Sequence, residues 1–225
     1  MTTTSTALTT HEASPVGGLA HDASGGISNP VLGMLLFLTS EVMFFAGLFA
    51  AYFNLRANIT PWPPEKFKDL LQVVGVGPSG IPFTTETGAL NLILPATTIL
   101  VASSFTCQFG VWGIRNGDRT SLVRNIGVTL AMGIAFLLIQ AYDYSVLFSE
   151  GLTLASGPFG TTYFTLTGFH GAHVFGGVIM LSVVLYRAMA GQFTARHHDM
   201  VEATSLYWHF VDIVWILLFS ILYIL

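Results

Sequence analysis

Six ionisable side chains stand inside long apolar runs of this sequence: Glu41, Asp143, His170, His173, His209 and Asp212. An ionisable group in hydrocarbon costs several kcal/mol, so each is a candidate functional residue. Glu41 sits between Leu35–Ser40 and Val42–Phe45. A carboxyl alone in such surroundings favours its protonated form. It could serve as a proton station, an acceptor for a lipid headgroup or a hydrogen-bond donor between helices. His170 and His173 are three residues apart, which puts them on one face of a helix. That spacing is compatible with metal ligation but is not specific for it. The neighbouring Gly168, Gly171, Gly176 and Gly177 let another helix come close. The simpler reading is that both histidines hydrogen-bond across a tight interface. His209 and Asp212 repeat the three-residue spacing, and the carboxylate is placed to orient the imidazole. Glu202, seven residues before His209, shares that face and meets the positive end of the helix dipole. Asp143 lies between Tyr142 and Tyr144, an aromatic setting typical of the membrane border. Arg187, followed by His197 and His198, reads as a basic flank or as a site for an anionic lipid.

The elements that carry these residues must be membrane helices. Of 225 residues, 52 % are hydrophobic and 9 % charged, whereas soluble domains carry about 25 % charged residues. Five apolar stretches are long enough for a core of about 30 Å. They cover approximately residues 30–55, 87–112, 122–148, 161–189 and 203–225, which predicts an all-α polytopic bundle with five transmembrane helices. Residues 1–29, rich in Thr, Ser, Gly and His with no Lys or Arg, read as a flexible tail and not as a signal peptide. Residues 30–225 read as a single bundle without an internal repeat.

Connectors and charge set the remaining expectations. The 57–86 loop contains Pro61, Pro63, Pro64, Pro78 and Pro82, which stop a helix, and Trp62, an interfacial anchor. Arg115, Arg119, Arg124, Arg187 and Arg196 cluster around the second and fourth loops. By the positive-inside rule those loops are cytoplasmic, with the N-terminus inside and the C-terminus outside. A net charge of -4 without a basic stretch excludes nucleic acid as a natural partner. Cys107 alone can form neither an internal disulfide nor a CxxC motif. No Walker, GxGxxG-plus-acid, HExxH or GxSxG pattern is present.

Three longer motifs resemble one family. Ser40-Glu41-Val42-Met43-Phe44-Phe45-Ala46-Gly47 with Ala51-Tyr52-Phe53 is similar to the Glu-bearing helix of cytochrome c oxidase subunit III. Gly168-Phe169-His170-Gly171-Ala172-His173-Val174 matches that family's GFHGxHV run. Phe193-Thr194, His197-His198, Glu202-Ala203 and Tyr207-Trp208-His209-Phe210-Val211-Asp212-Ile213-Val214-Trp215 resemble its C-terminal signature. The resemblance covers roughly residues 30–225, and the chain is similar to the short five-helix bacterial form, without the first two of the usual seven spans. The family's Gln-x-x-Glu-Tyr run reads Gln140-Ala141-Tyr142-Asp143-Tyr144.

This resemblance implies a non-catalytic subunit of a proton-pumping oxidase that reduces O2 to water in aerobic respiration. It implies contact with subunit I and the company of subunit II and further subunits, and it leaves open whether the complex joins a respiratory supercomplex. It implies haem and copper in the partners, no metal and no redox chemistry on this chain, and bound phospholipid. Stabilisation of subunit I, oxygen delivery and proton uptake would be its contribution. Glu41 corresponds to the family's carbodiimide-reactive carboxylate on the lipid and oxygen path. Arg187 corresponds to a position near a phospholipid headgroup. Asp143, His170, His173, Glu202, His209 and Asp212 correspond to interior polar residues, and the location would be a bacterial plasma membrane. Two other readings stay open on the residues alone. One is a membrane haem protein ligated by His170, His173 and His209. The other is a transporter with Glu41 and Asp212 as proton relays.

Overall fold

The computed structural model describes residues 28–62, 93–149 and 151–224. Among them it contains five helices long and apolar enough to cross a membrane: α1 (Asn29–Asn58), α2 (Ile93–Arg115), α3 (Arg119–Ser149), α4 (Pro158–Met189) and α5 (Asp199–Phe219). In hydrocarbon a backbone must satisfy its own polar groups, and an apolar sequence does so as helix. Five helices stand at the five expected spans; α1, α3, α4 and α5 start one to four residues earlier than the apolar runs suggested, α1, α2 and α3 end one to three residues later, α4 ends at the expected residue, and α5 gives way to a π turn after Phe219. Residues 87–92 of the second expected span, the tail up to residue 27 and residues 63–86 of the long loop lie outside the described residues.

Local chemistry explains the ends. Pro30 and Pro158 occupy the first turns of α1 and α4, where a missing N–H is no loss. Between α2 and α3 the chain reverses through Asn116, Gly117 and Asp118. Gly117 takes φ 78°, which a side chain would resist, and Asp118 Oδ1 accepts the Ser121 N–H at 3.0 Å. The end of α5 continues as a wider π turn over Ser220–Ile224.

Helices α2, α3, α4 and α5 pack in sequence, and α5 returns to α2 and closes the ring. Helix α1 rests outside this ring against α4 and α5. Only 6 % of the most apolar window of α1 is buried, which makes it a peripheral helix with a broad apolar outer face. Trp208 of α5, 1 % exposed, fills the middle of the ring. A Cβ on Gly133 of α3 would lie 2.6 Å from its ring, and a Cβ on Gly177 of α4 would lie 2.8 Å away. Small residues here let three helices close on one indole. Gly177→Ala is therefore expected to destabilise the bundle by about 1 kcal/mol, the lower end for overpacking by one methyl. Thermal unfolding of the detergent-solubilised protein reads this, and an unchanged midpoint would contradict the packing.

Candidate functional site

Glu41 is not isolated. Its Oε2 lies 3.0 Å from His173 Nε2, across the α1–α4 interface, and both side chains are less than one-fifth exposed. His173 Nδ1 is 2.7 Å from the Phe169 carbonyl oxygen one turn earlier. A carbonyl only accepts, so Nδ1 carries a hydrogen. A single proton is then shared between Nε2 and the Glu41 carboxyl: either the acid donates to the ring, or the imidazolium donates to the carboxylate. Phe44 and Phe45 flank the ring at 6.3 and 5.1 Å, and Tyr207 Oη donates to the His173 carbonyl at 3.0 Å. The site is a polar pair walled by aromatics on a helix that otherwise faces outward.

His170 does not accompany His173. It is fully buried inside the ring, where Nε2 donates to the Val211 carbonyl of α5 at 3.2 Å. Its ring lies 4.8 Å from Trp215 and 5.8 Å from Phe136. Three residues along a helix still leave an angular offset of about 60°, and two different helices use that offset. The expectation of one shared face is thus corrected: one histidine serves α5, the other α1.

His209 and Asp212 also part company. His209 Nε2 donates to Gln108 Oε1 at 3.3 Å, and Asp212 Oδ2 accepts from Ser104 Oγ at 2.7 Å. The expected imidazole–carboxylate hydrogen bond is replaced by two bonds to α2. They belong to a polar ladder running the length of the α2–α5 interface. Arg115 Nε and Nη2 donate to Glu202 Oε1 at 3.0 and 2.7 Å, and His198 Nε2 reaches the same oxygen at 3.1 Å. Trp208 Nε1 donates to Ser103 Oγ at 2.9 Å, and Trp215 Nε1 donates to Thr97 Oγ1 at 3.0 Å. As α5 numbers rise from 202 to 215, the α2 partners fall from 115 to 97, the signature of antiparallel neighbours. His170, His173 and His209 therefore address three different helices and do not converge on a common ligand position. No cluster of three or more metal-ligating side chains occurs among the described residues.

Asp143 is 4 % exposed and faces the bundle. Tyr163 Oη lies 3.5 Å from its Oδ2 and 2.6 Å from Tyr223 Oη. The aromatic neighbours in sequence are not its partners: Tyr142 points outward, and Tyr144 bonds Thr167 Oγ1 at 2.7 Å. At the opposite end Arg187 Nε donates to Gln192 Oε1 at 2.8 Å, Nη1 lies 2.8 Å from Met200 Sδ, and the guanidinium stands 5.1 Å over Phe193. Arg119 joins the two loops of that end by donating to the Ala188 and Met189 carbonyls.

Sequence reasoning missed Thr97, Ser103, Ser104 and Gln108, and read Arg119 only as a loop charge. The signal was present for those four, as uncharged polar residues recurring along α2. A hydroxyl in a membrane helix can bond its own backbone four residues back, as Thr98 does to Leu94, so type alone does not reveal a partner.

The fold and its internal polar contacts define a polytopic membrane bundle in which Glu41, Asp143, His170, His173, His209 and Asp212 bond across helices. Comparison with known proteins gives the particular class. A family model of cytochrome c oxidase subunit III matches residues 11–225, a span that begins inside the segment read as a tail. A probable cytochrome c oxidase subunit 3 of Mycobacterium leprae is 42 % identical over 193 residues, covering 85 % of this chain and 86 % of that protein. Subunit 3 of Corynebacterium diphtheriae is 39 % identical over 196 residues, with 85 % and 86 % covered. That of Synechocystis is 39 % identical over 211 residues, with 92 % and 81 % covered. The chain belongs to the cytochrome c oxidase subunit III family.

Proposed function

We propose that this chain is the non-catalytic subunit of a proton-pumping oxidase that reduces O2 to water, seated against the oxidase's catalytic subunit I. The observation that carries the reading is the Glu41–His173 pair. It joins two of the family's motifs, SEVMFFAG on α1 and GFHGAHV on α4, into one site. The histidines that a haem reading requires are each engaged by a different helix, which supports haem and copper residing in partner subunits. Glu41, on the seam below the exposed face of α1, is assigned to the lipid and oxygen path. Arg187, at the end of α4, is assigned to a phospholipid headgroup. Asp143, His170, His173, Glu202, His209 and Asp212 hold helices together. The chain lies in a bacterial plasma membrane beside subunits I and II. Arg115, Arg119, Arg124, Arg187 and Arg196 lie around the α2–α3 and α4–α5 connections, and Arg119 ties α3 to the end of α4. This charge bias supports a cytoplasmic placement of that end, with the N-terminus inside and the C-terminus outside.

The test is purification of the tagged chain from its own membrane in mild detergent. Reduced-minus-oxidised spectra and identification of the co-purifying proteins are read together. Haem bands that travel with a large oxidase subunit, and leave when that subunit is stripped off, are the expected result. Haem retained by the stripped chain would overturn the assignment and make His170, His173 or His209 a ligand. Transport by the chain alone, with no haem-bearing partner, would favour a proton-coupled carrier.

A further inference from the structure

A pocket of about 410 Å³ opens at the α2–α3 hairpin, with neither Glu41 nor Arg187 in its lining. Its lining includes Phe109, Trp112, Asn116, Asp118, Arg124 and Asn125. Three positive side chains lie at this hairpin, and two are engaged. Arg115 is bound to Glu202, and Arg119 to the Ala188 and Met189 carbonyls. Arg124 makes no hydrogen bond or ion pair among the described residues. Asp118 uses Oδ1 to accept the Ser121 N–H and leaves Oδ2 without a hydrogen bond there. The two opposite charges, both exposed, line one cavity and form no ion pair with each other. Phe109 and Trp112 border the same cavity, each about half exposed, with ring centroids 5.6 Å apart. Exposed aromatics near the end of a membrane helix mark the headgroup level.

A ligand that completes this arrangement carries a negative and a positive group on one short linker and has apolar chains to lay along the aromatics. Because the lining carries one positive and one negative charge, it favours a zwitterion over an anion. We propose that the pocket binds the headgroup of an aminophospholipid of the phosphatidylethanolamine class. Arg124 holds the phosphate through its fork of N–H donors, and Asp118 Oδ2 accepts from the primary ammonium. The side-chain amides of Asn116 and Asn125 supply further donors to phosphate or glycerol oxygens. The acyl chains run down α2 past Phe109 and the exposed Phe105.

The test uses the intact oxidase complex in phosphatidylcholine vesicles containing a trace of photoactivatable phosphatidylethanolamine, with cross-linked peptides mapped by mass spectrometry. Label is expected on the segment 105–128. Arg124→Gln should reduce it roughly ten-fold, the weight of one charge-assisted contact. Asp118→Asn preserves the helix cap, since asparagine caps as well as aspartate. It should remove the preference for the ethanolamine probe over the choline probe while leaving total labelling in place. Label absent from 105–128 would overturn the proposal. So would equal labelling by choline and glycerol probes in the unaltered complex, or labelling indifferent to both substitutions.

Discussion

Trp208→Ala is expected to cost about 3–5 kcal/mol, the range for removing a fully buried indole. Three effects add. The substitution opens a cavity in the middle of the α2–α3–α4–α5 ring. It leaves Gly133 and Gly177 facing empty space, and a glycine has no side chain that could swing in to fill it. It also removes the Nε1–H that Ser103 Oγ accepts. Because Ser103 keeps its own bond to the Leu100 carbonyl at 2.6 Å, the loss is mainly one of packing. Trp208→Phe should therefore recover most of the stability. The measurement is thermal unfolding of the purified oxidase complex in detergent, read alongside retention of this subunit through purification. Equal midpoints for the alanine variant and the unaltered protein would contradict the central role given to this side chain.

The Glu41–His173 pair predicts a non-additive mutational cycle. His173→Leu leaves a carboxyl at the α1–α4 seam without its ring partner. Glu41→Leu leaves an imidazole in the same condition. Breaking one half of a fully buried pair costs about 3–5 kcal/mol; the partial exposure of this pair lowers the expected cost to about 2–3 kcal/mol for each single variant. The double variant restores an apolar seam of similar volume, so its cost should fall well below the sum of the two. Glu41→Gln keeps shape and a hydrogen-bond donor for Nε2 and should be the mildest of the set. The cycle is read by unfolding of the complex and by quantifying how much of this subunit stays bound. Strict additivity would mean that the two side chains do not interact.

The spans were legible because lipid imposes a single demand over a length of about 20 residues. Apolar runs at 30–55 and 161–189 could hardly be anything else, and Pro30 and Pro158 mark where they begin. The polar interior was only half legible. Glu41 stood out as a charge in hydrocarbon, yet its partner lies 132 residues away on α4, and no local pattern could connect the two. His170 and His173 looked equivalent because three residues nearly complete a turn. Their difference depends on how α4 is clasped by α5 on one flank and α1 on the other, which is a property of packing. His209 and Asp212 misled for the same reason, since proximity along one helix competes with better-placed acceptors and donors on α2. Asp143 was read from its sequence neighbours, Tyr142 and Tyr144, while the tyrosines that surround it come from α4 and from the turn after α5.

The seat of α1 also dictates an order of events during synthesis. Helix α1 enters the bilayer before α2–α5 but finds its partners only in α4 and α5. The α2–α3 hairpin, by contrast, can close as soon as both strokes are in the bilayer. Until α4 brings His173, α1 must wait as a lone span with Glu41 unsatisfied, and until α5 arrives the ladder of hydroxyls and amides on α2 lacks its partners across the interface. A ribosome stalled before residue 199 would therefore leave an open horseshoe of helices, with its polar inner rows facing lipid. Such intermediates are the natural substrates of membrane quality control. Completion of α5 closes the ring and gives α1 the second side of its seat.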